Sequence, residues 1–111
     1  MNTKVFDTNI RWLSVEEGGR SLEIPFKATK YAPQIAIDGN RIICGSSWSV
    51  FCYSYEIVES LKTKSYIRFL NVEQAPDILF VGTKFELFEG PKKVAVGEIV
   101  NIVEDVNPIE L

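Results

Sequence analysis

The stretch from Gly82 to Ile102, GTKFELFEGPKKVAVGEIVNI, constrains the fold more than any other part of the chain. Two apolar runs flank a Gly-Pro turn. In the first, Phe85 and Leu87 share one face and Lys84 and Glu86 the other, the alternation of a half-buried strand. Gly90-Pro91-Lys92-Lys93 fits a four-residue turn, because Pro91 presets φ at its second position. Val94 and Val96 resume the inward parity, which would send Glu98 inward and Ile99 outward. A bulge at Gly97 reconciles the pattern, since glycine tolerates the backbone that sets two residues opposite one. Such bends occur where a sheet curls into a small barrel. The hairpin therefore reads as a closing corner.

Most upstream segments also read as strands. Val5 to Val15 is rich in β-branched and aromatic residues. Ile10 and Trp12 lie on one parity and Leu13 and Val15 on the other, so a bulge or bend is expected there. Glu16-Glu17-Gly18-Gly19-Arg20 reads as a turn whose glycines supply positive φ. Leu22, Ile24 and Phe26 alternate with polar residues, and Pro25 confines that piece to an edge or interrupted strand. Asp38-Gly39-Asn40, between Ile35-Ala36-Ile37 and Arg41-Ile42-Ile43-Cys44, is a hairpin signal. Trp48 to Ile57 is apolar on both parities, with Phe51, Tyr53, Tyr55 and Ile57 on one face and Trp48, Val50 and Cys52 on the other. Such a strand is covered on both sides or offers one face to a partner. Glu56 to Lys64 is ambiguous, since Ile57, Val58 and Leu61 also fit one helical turn. Tyr66 to Val72 is strand-like, and Glu73 to Asp77 is a loop. Frequent turns without long helical periodicity imply one all-β domain over residues 1–111, an antiparallel barrel or sandwich.

Composition narrows the chemistry. The chain has 111 residues, enough for one core, and a net charge of −3, which argues against purely electrostatic binding to nucleic acid. It has no histidine, which removes Ser-His-Asp and Cys-His sites. No phosphate-binding loop of the G-x-x-x-x-G-K-[ST] type occurs. The two cysteines, Cys44 and Cys52, read as reduced and buried, a disulfide between paired strands being the other reading. No catalytic residue, cofactor or metal site is expected. No apolar run reaches the roughly 20 residues of a membrane span. No secretory signal is legible before Val15, so a cytoplasmic location is expected.

The residues from Gly82 to Ile99 resemble the last hairpin of the third domain of elongation factor Tu, whose pattern is G-x-x-F-x-[IL]-x-E-G-x-[RK]-x-V-x-x-G-x-[VI]. Glu16-Glu17-Gly18-Gly19-Arg20, with Pro25-Phe26 behind it, resembles that family's E-E-G-G-R turn. Tyr31-Ala32-Pro33-Gln34 resembles its Y-x-P-Q. The motifs occur in the family's order and cover the front and final thirds of the chain. Between Asn40 and Leu79 no match is visible, and Lys62-Thr63-Lys64-Ser65 stands where the family has a P-G-D turn. The resemblance implies a small closed antiparallel six-stranded β-barrel, standing alone without the nucleotide-binding domain, so GTPase activity is not inherited.

In that family the third domain packs on the nucleotide-binding domain, meets the exchange factor and touches the T-stem backbone of aminoacyl-tRNA. Matched residue by residue, Arg20, Gln34 and Gly90 keep the family's types, and Lys92 replaces an arginine. These four are the RNA- or partner-binding candidates. Trp48, Phe51, Tyr53 and Tyr55 are the candidate protein interface, because Tyr and Trp are favoured at hot spots. The expected function is a non-catalytic binding module for a cytoplasmic protein. One version is an immunity protein that neutralises a toxin; another partner class is a translation component. An accessory tRNA or RNA binder is the alternative, and an enzyme using carboxylate or lysine chemistry is the weakest reading.

Overall fold

The computed structural model describes residues 4–20, 23–37, 48–70 and 79–103. They form six strands: β1 (Val5–Trp12), β2 (Gln34–Ile37), β3 (Trp48–Glu59), β4 (Lys62–Phe69), β5 (Lys84–Glu89) and β6 (Lys92–Val103). The spatial order is β1-β4-β3-β2-β5-β6, and β6 returns to β1. Every strand pair is antiparallel. The result is an all-β ring in which the first strand lies between the fourth and the last.

Alternation along each strand fills the ring. Phe6, Ile10 and Trp12 of β1, Val50 of β3, Ile67 of β4, Phe85 and Leu87 of β5, and Ile99 of β6 are buried together. One layer of the interior is polar. Thr8, Ser54, Thr63 and Ser65 are buried, and each finds a partner. Thr8 Oγ1 donates to the Ser65 carbonyl (2.8 Å), Trp12 Nε1 donates to Thr63 Oγ1 (2.9 Å), and the Ser54 and Ser65 hydroxyls meet at 2.7 Å. Buried hydroxyls linked in this way avoid the penalty of an unmade bond.

The Gly82–Ile102 hairpin forms with the expected strands and a different internal geometry. Glu89 pairs with Lys92, so Gly90 and Pro91 are the two central residues of the turn, one position earlier than expected. Gly90 adopts φ 60°, the positive value that suits a tight hairpin at its first central residue. The bulge lies at Val94, because Leu87 faces Ala95 while Phe88 faces Lys93. Val94 and Ala95 are both buried, Val96 turns outward, and Ile99 is inside. Gly97 stays in register opposite Phe85 and Ile10. Its role is space: a Cβ there would sit 2.4 Å from Phe85 Cζ. The aromatic ring occupies the room that a side chain would take.

Three other expectations change. β1 ends at Trp12, and the irregularity in its pairing is an extra residue on β6, since Asp7 faces Asn101 and Thr8 faces Ile99. Residues 23–33 form no strand; Phe26 makes one isolated bridge to Ser54. Pro25 has no N–H to donate and Lys27 turns the chain at φ 56°, which together break the ladder. This segment runs beside β3, where the short β2 leaves an edge. Val50 N donates to Pro33 O and Cys52 N to Tyr31 O, both at 3.0 Å, and Lys27 N donates to Ser54 O at 2.8 Å. Finally, residues 56–64 are a β3–β4 hairpin with Leu61 at φ 65°, not a helical turn. The Asp38-Gly39 hairpin signal, Leu22 and Cys44 lie outside the described residues, as do the end of the expected strand beyond Leu70 and the loop at 73–77. β2 and β3 do pair antiparallel, Ile35 facing Trp48.

The contact at Gly97 is testable. Gly97→Ala is expected to destabilise the fold by about 1–3 kcal/mol, the range for overpacking a filled core. It should lower the urea midpoint without changing the slope. In a Phe85→Leu background the same change should cost less than in the native chain; equal costs would show that the ring does not set the constraint.

Candidate binding surface at the turn end of the ring

The chain leaving β1 is folded back by a tight turn at residues 14–19. Glu17 N donates to the Ser14 carbonyl (3.0 Å), and Ser14 N donates in return to Glu17 Oε1 (3.0 Å). Arg11 donates to the same carboxylate, at 3.1 Å to Oε2. These bonds, led by the Ser14 backbone N–H, hold the Glu17 carboxyl below its usual value. That stabilisation is present above the ordinary carboxylate pKa of 4.5 and is lost as pH falls through the lower folded value. Gly18 takes φ 86°. Gly19 serves a second need, because a Cβ there would lie 2.2 Å from the Leu13 carbonyl oxygen. The turn closes only if that position is bare.

Arg20 emerges from this turn over the end of the ring. Its guanidinium donates to the Glu89 carboxylate, on the last residue of β5. Tyr31 Oη donates to the same oxygen, Glu89 Oε2, at 2.6 Å. The Arg20 guanidinium also lies 5.2 Å from the Tyr31 ring centroid, and Tyr31 packs on Trp12 at 5.9 Å. The Arg20 side chain is only 15% exposed and that of Glu89 34%. The Arg20 Nε is buried without a partner among the described residues. One carboxylate thus ties the turn after β1, the segment before β2 and the β5–β6 turn into a unit.

The structure brings Arg20, Gln34, Gly90 and Lys92 to this end. Gln34 faces Phe88, next to Glu89, and Lys92 faces Glu89 across the turn. Gly90 and Lys92 are exposed, whereas Arg20 is committed inward. Glu89 and Tyr31 are not among the site residues read from the sequence. Both stand inside the quoted motifs, and that membership is the one signal that points to them. Sequence spacing alone does not show that Arg20, Glu89 and Tyr31 meet.

Burial, followed by the Glu89 carboxylate, pushes the Tyr31 phenol well above its ordinary value. Tyr55 is raised in the same direction, by burial and then by Asp7, to which its hydroxyl donates at 2.7 Å.

The aromatic strand does not present a single patch. Trp48 sits on the inward parity, edge-on to Phe69 at 6.3 Å. Phe51, Tyr53 and Tyr55 face outward and are half-buried. Arg68 covers Phe51 with its guanidinium 4.3 Å from the ring centroid, and Tyr55 stacks on Tyr66 at 4.5 Å. Cys52 is a buried free thiol, pushed up to about 12 by burial, against the hydrogen bonds from Ser54 and Ser65. Among the described residues, no three His, Cys, Asp or Glu side chains are grouped to hold a metal. Nor is any helix there long and apolar enough to cross a membrane.

A scan of protein-family models and a search of curated proteins returned no match to this chain.

Three outcomes are expected. Glu89→Ala should destabilise the protein by about 1–3 kcal/mol, because it strands the enclosed Arg20 guanidinium. Glu89→Gln should lose less, since an amide oxygen still accepts from Tyr31. Urea unfolding of Arg20→Ala, Glu89→Ala and the double variant should give a non-zero coupling; strict additivity would mean the pair does not hold the end together. Secondly, raised tyrosine pKa values mean that the folded chain keeps protons the unfolded chain releases. Their stabilisation is complete below the ordinary phenol pKa of 10.0 and falls as pH rises above it. Tyrosinate absorbance from Tyr31 should therefore appear together with loss of circular dichroism, and its appearance in the folded state would refute the buried geometry. Thirdly, in a Cys44→Ser chain, Cys52 should resist a thiol reagent at pH 8 until denaturant is added.

Proposed function

We propose that this chain is a non-catalytic binding module that resembles the third domain of elongation factor Tu and engages a cytoplasmic protein partner. The carrying observation is the convergence of the three motifs on Glu89. A carboxylate shared by Arg20 and Tyr31 fixes two turns relative to each other before any partner arrives. Preorganised loops on a closed ring bind with less ordering entropy. The surface they offer carries exposed Glu16, Gly90 and Lys92. A toxin neutralised in the manner of an immunity protein is the narrower form of this reading, supported by the net charge of −3. Accessory binding of tRNA has less support, because Arg20, its main cationic contact, already serves Glu89.

The test is affinity capture of the tagged protein from its own cytoplasm, with and without RNase, compared with Glu16→Lys and Lys92→Glu. Glu17 is left intact because it builds the turn. A stoichiometric protein that resists RNase and is reduced by either variant is the expected result. Steering by Glu16 should also slow association in Glu16→Lys at low salt. Enriched tRNA that disappears after RNase would replace this reading with the RNA-binding one.

A further inference from the structure

Among the described residues, Arg20 and Arg68 each bury an Nε that finds no acceptor. Arg20 shows what the fold sets against such a group. Its guanidinium lies 5.2 Å from the Tyr31 ring centroid, and the Glu89 carboxylate accepts from both the arginine and the Tyr31 hydroxyl. Arg68, on the outer wall, repeats the arginine and the aromatic rings without the acid.

Register builds this second set. Phe51 faces Arg68 and Tyr53 faces Tyr66 across β3 and β4, so the four side chains stand together on the outward parity. The Arg68 guanidinium lies 4.3 Å from the Phe51 ring centroid. With Cys52, Ala28 and Thr29 they line a cleft of about 40 Å³. Arg68 takes part in no ion pair among the described residues. Burial holds its guanidinium below the ordinary value, and no acid among those residues offsets it. Asp7, which register sets opposite Tyr66 on β1, is taken by the Tyr55 hydroxyl at 2.7 Å. A cation withdrawn from water without a partner is destabilising, and a charge-assisted hydrogen bond to an anion offsets that cost.

We infer that this cleft is a carboxylate-binding site. Arg68 would donate to the carboxylate oxygens, and the hydroxyl-bearing Thr29, Tyr53 and Tyr66 stand at the wall as further donors. Size selects the ligand. The cleft is little larger than the roughly 30 Å³ share of one water molecule. A flat carboxylate head enters such a space, whereas a tetrahedral phosphate group does not. A water molecule alone would meet one donor and leave the charge unbalanced. The Glu89 junction, where the same residue types close on an acid, points to the same chemistry. The cleft uses none of the residues of the turn-end surface, so each site can fail alone.

Nuclear magnetic resonance of the 15N-labelled protein tests this, with sodium acetate replacing sodium chloride at constant ionic strength. The Arg68 Nε–H signal, assigned by its absence in Arg68→Lys, should shift saturably together with the Ala28 and Thr29 amides. The Nε–H of Arg11, exposed and already paired with Glu17 at 3.1 Å, should not. Arg68→Lys keeps the charge and loses the planar fork, and the affinity read at Ala28 and Thr29 should fall about tenfold, with circular dichroism showing the variant folded. If it does not fold, the contrast between Arg68 and Arg11 in the wild type carries the test. Aspartate capped at both ends separates the sources: tighter binding than acetate identifies an acidic side chain of a protein as the occupant, and weaker binding a free small carboxylate. Absence of saturation, an equal response at Arg11, unchanged affinity in folded Arg68→Lys, or tighter binding of sodium phosphate than of acetate would overturn the proposal.

Discussion

Everything in this structure depends on β1 having two partners. It pairs with β4 on one side and with β6, the last strand, on the other. The ring therefore closes only when its first and last described strands meet. Closure removes the unpaired edges that make open sheets prone to edge-to-edge association. It also makes the topology non-local: contacts between β1 and β6 join residues some ninety positions apart, and ring-closing pairing of that kind is slow to form.

Closure has a second consequence at the turn end. Once β1 lies between β4 and β6, Trp12 N donates to Leu61 O and Leu13 N to Val94 O. The chain leaving β1 must then pass directly over the β5–β6 turn. Arg20 is delivered to Glu89 by that path, not by local sequence. Tyr31 arrives from the other direction, along the edge of β3 that β2 leaves uncovered. Two segments far apart in the chain therefore share one carboxylate because the ring fixes where each must go.

Much of the fold was legible because it was written locally. The alternation of Phe85 and Leu87 gave β5, and Gly18 marked a turn that needs positive φ. What was not legible depended on neighbours. Gly97 and Gly19 look like flexible residues in sequence, yet one yields to an aromatic ring and the other to a carbonyl. The bulge fell at Val94 because a single parity switch can be placed at any of several residues, and only the partner strand chooses among them. The stretch from Glu23 to Phe26 alternates like a strand, but Pro25 and the turn at Lys27 reduce it to one bridge. Of the candidate site, the motifs and their glycines could be read. The Arg20–Glu89–Tyr31 junction could not, since no periodicity relates those three positions.

The outer wall extends this argument. Rows of paired residues across β4, β1, β6 and β5 run perpendicular to the chain, so every neighbour in a row comes from a different strand. Lys62 and Lys64 look in sequence like ordinary solvated lysines on an exposed strand face, and a net charge of −3 points away from a basic site. Only the register sets Lys62 between Arg11 and Glu59, Lys64 between Asn9 and Glu56, and Lys84 beside Glu98. Net charge describes how a protein behaves at distances beyond the Debye length, roughly 8–10 Å at physiological salt. A bound side chain experiences the few groups within that radius. A ring of short strands can therefore be acidic overall and still interleave charges of both signs on its wall, because the sheet sorts charges by strand order, which the sequence order does not reveal.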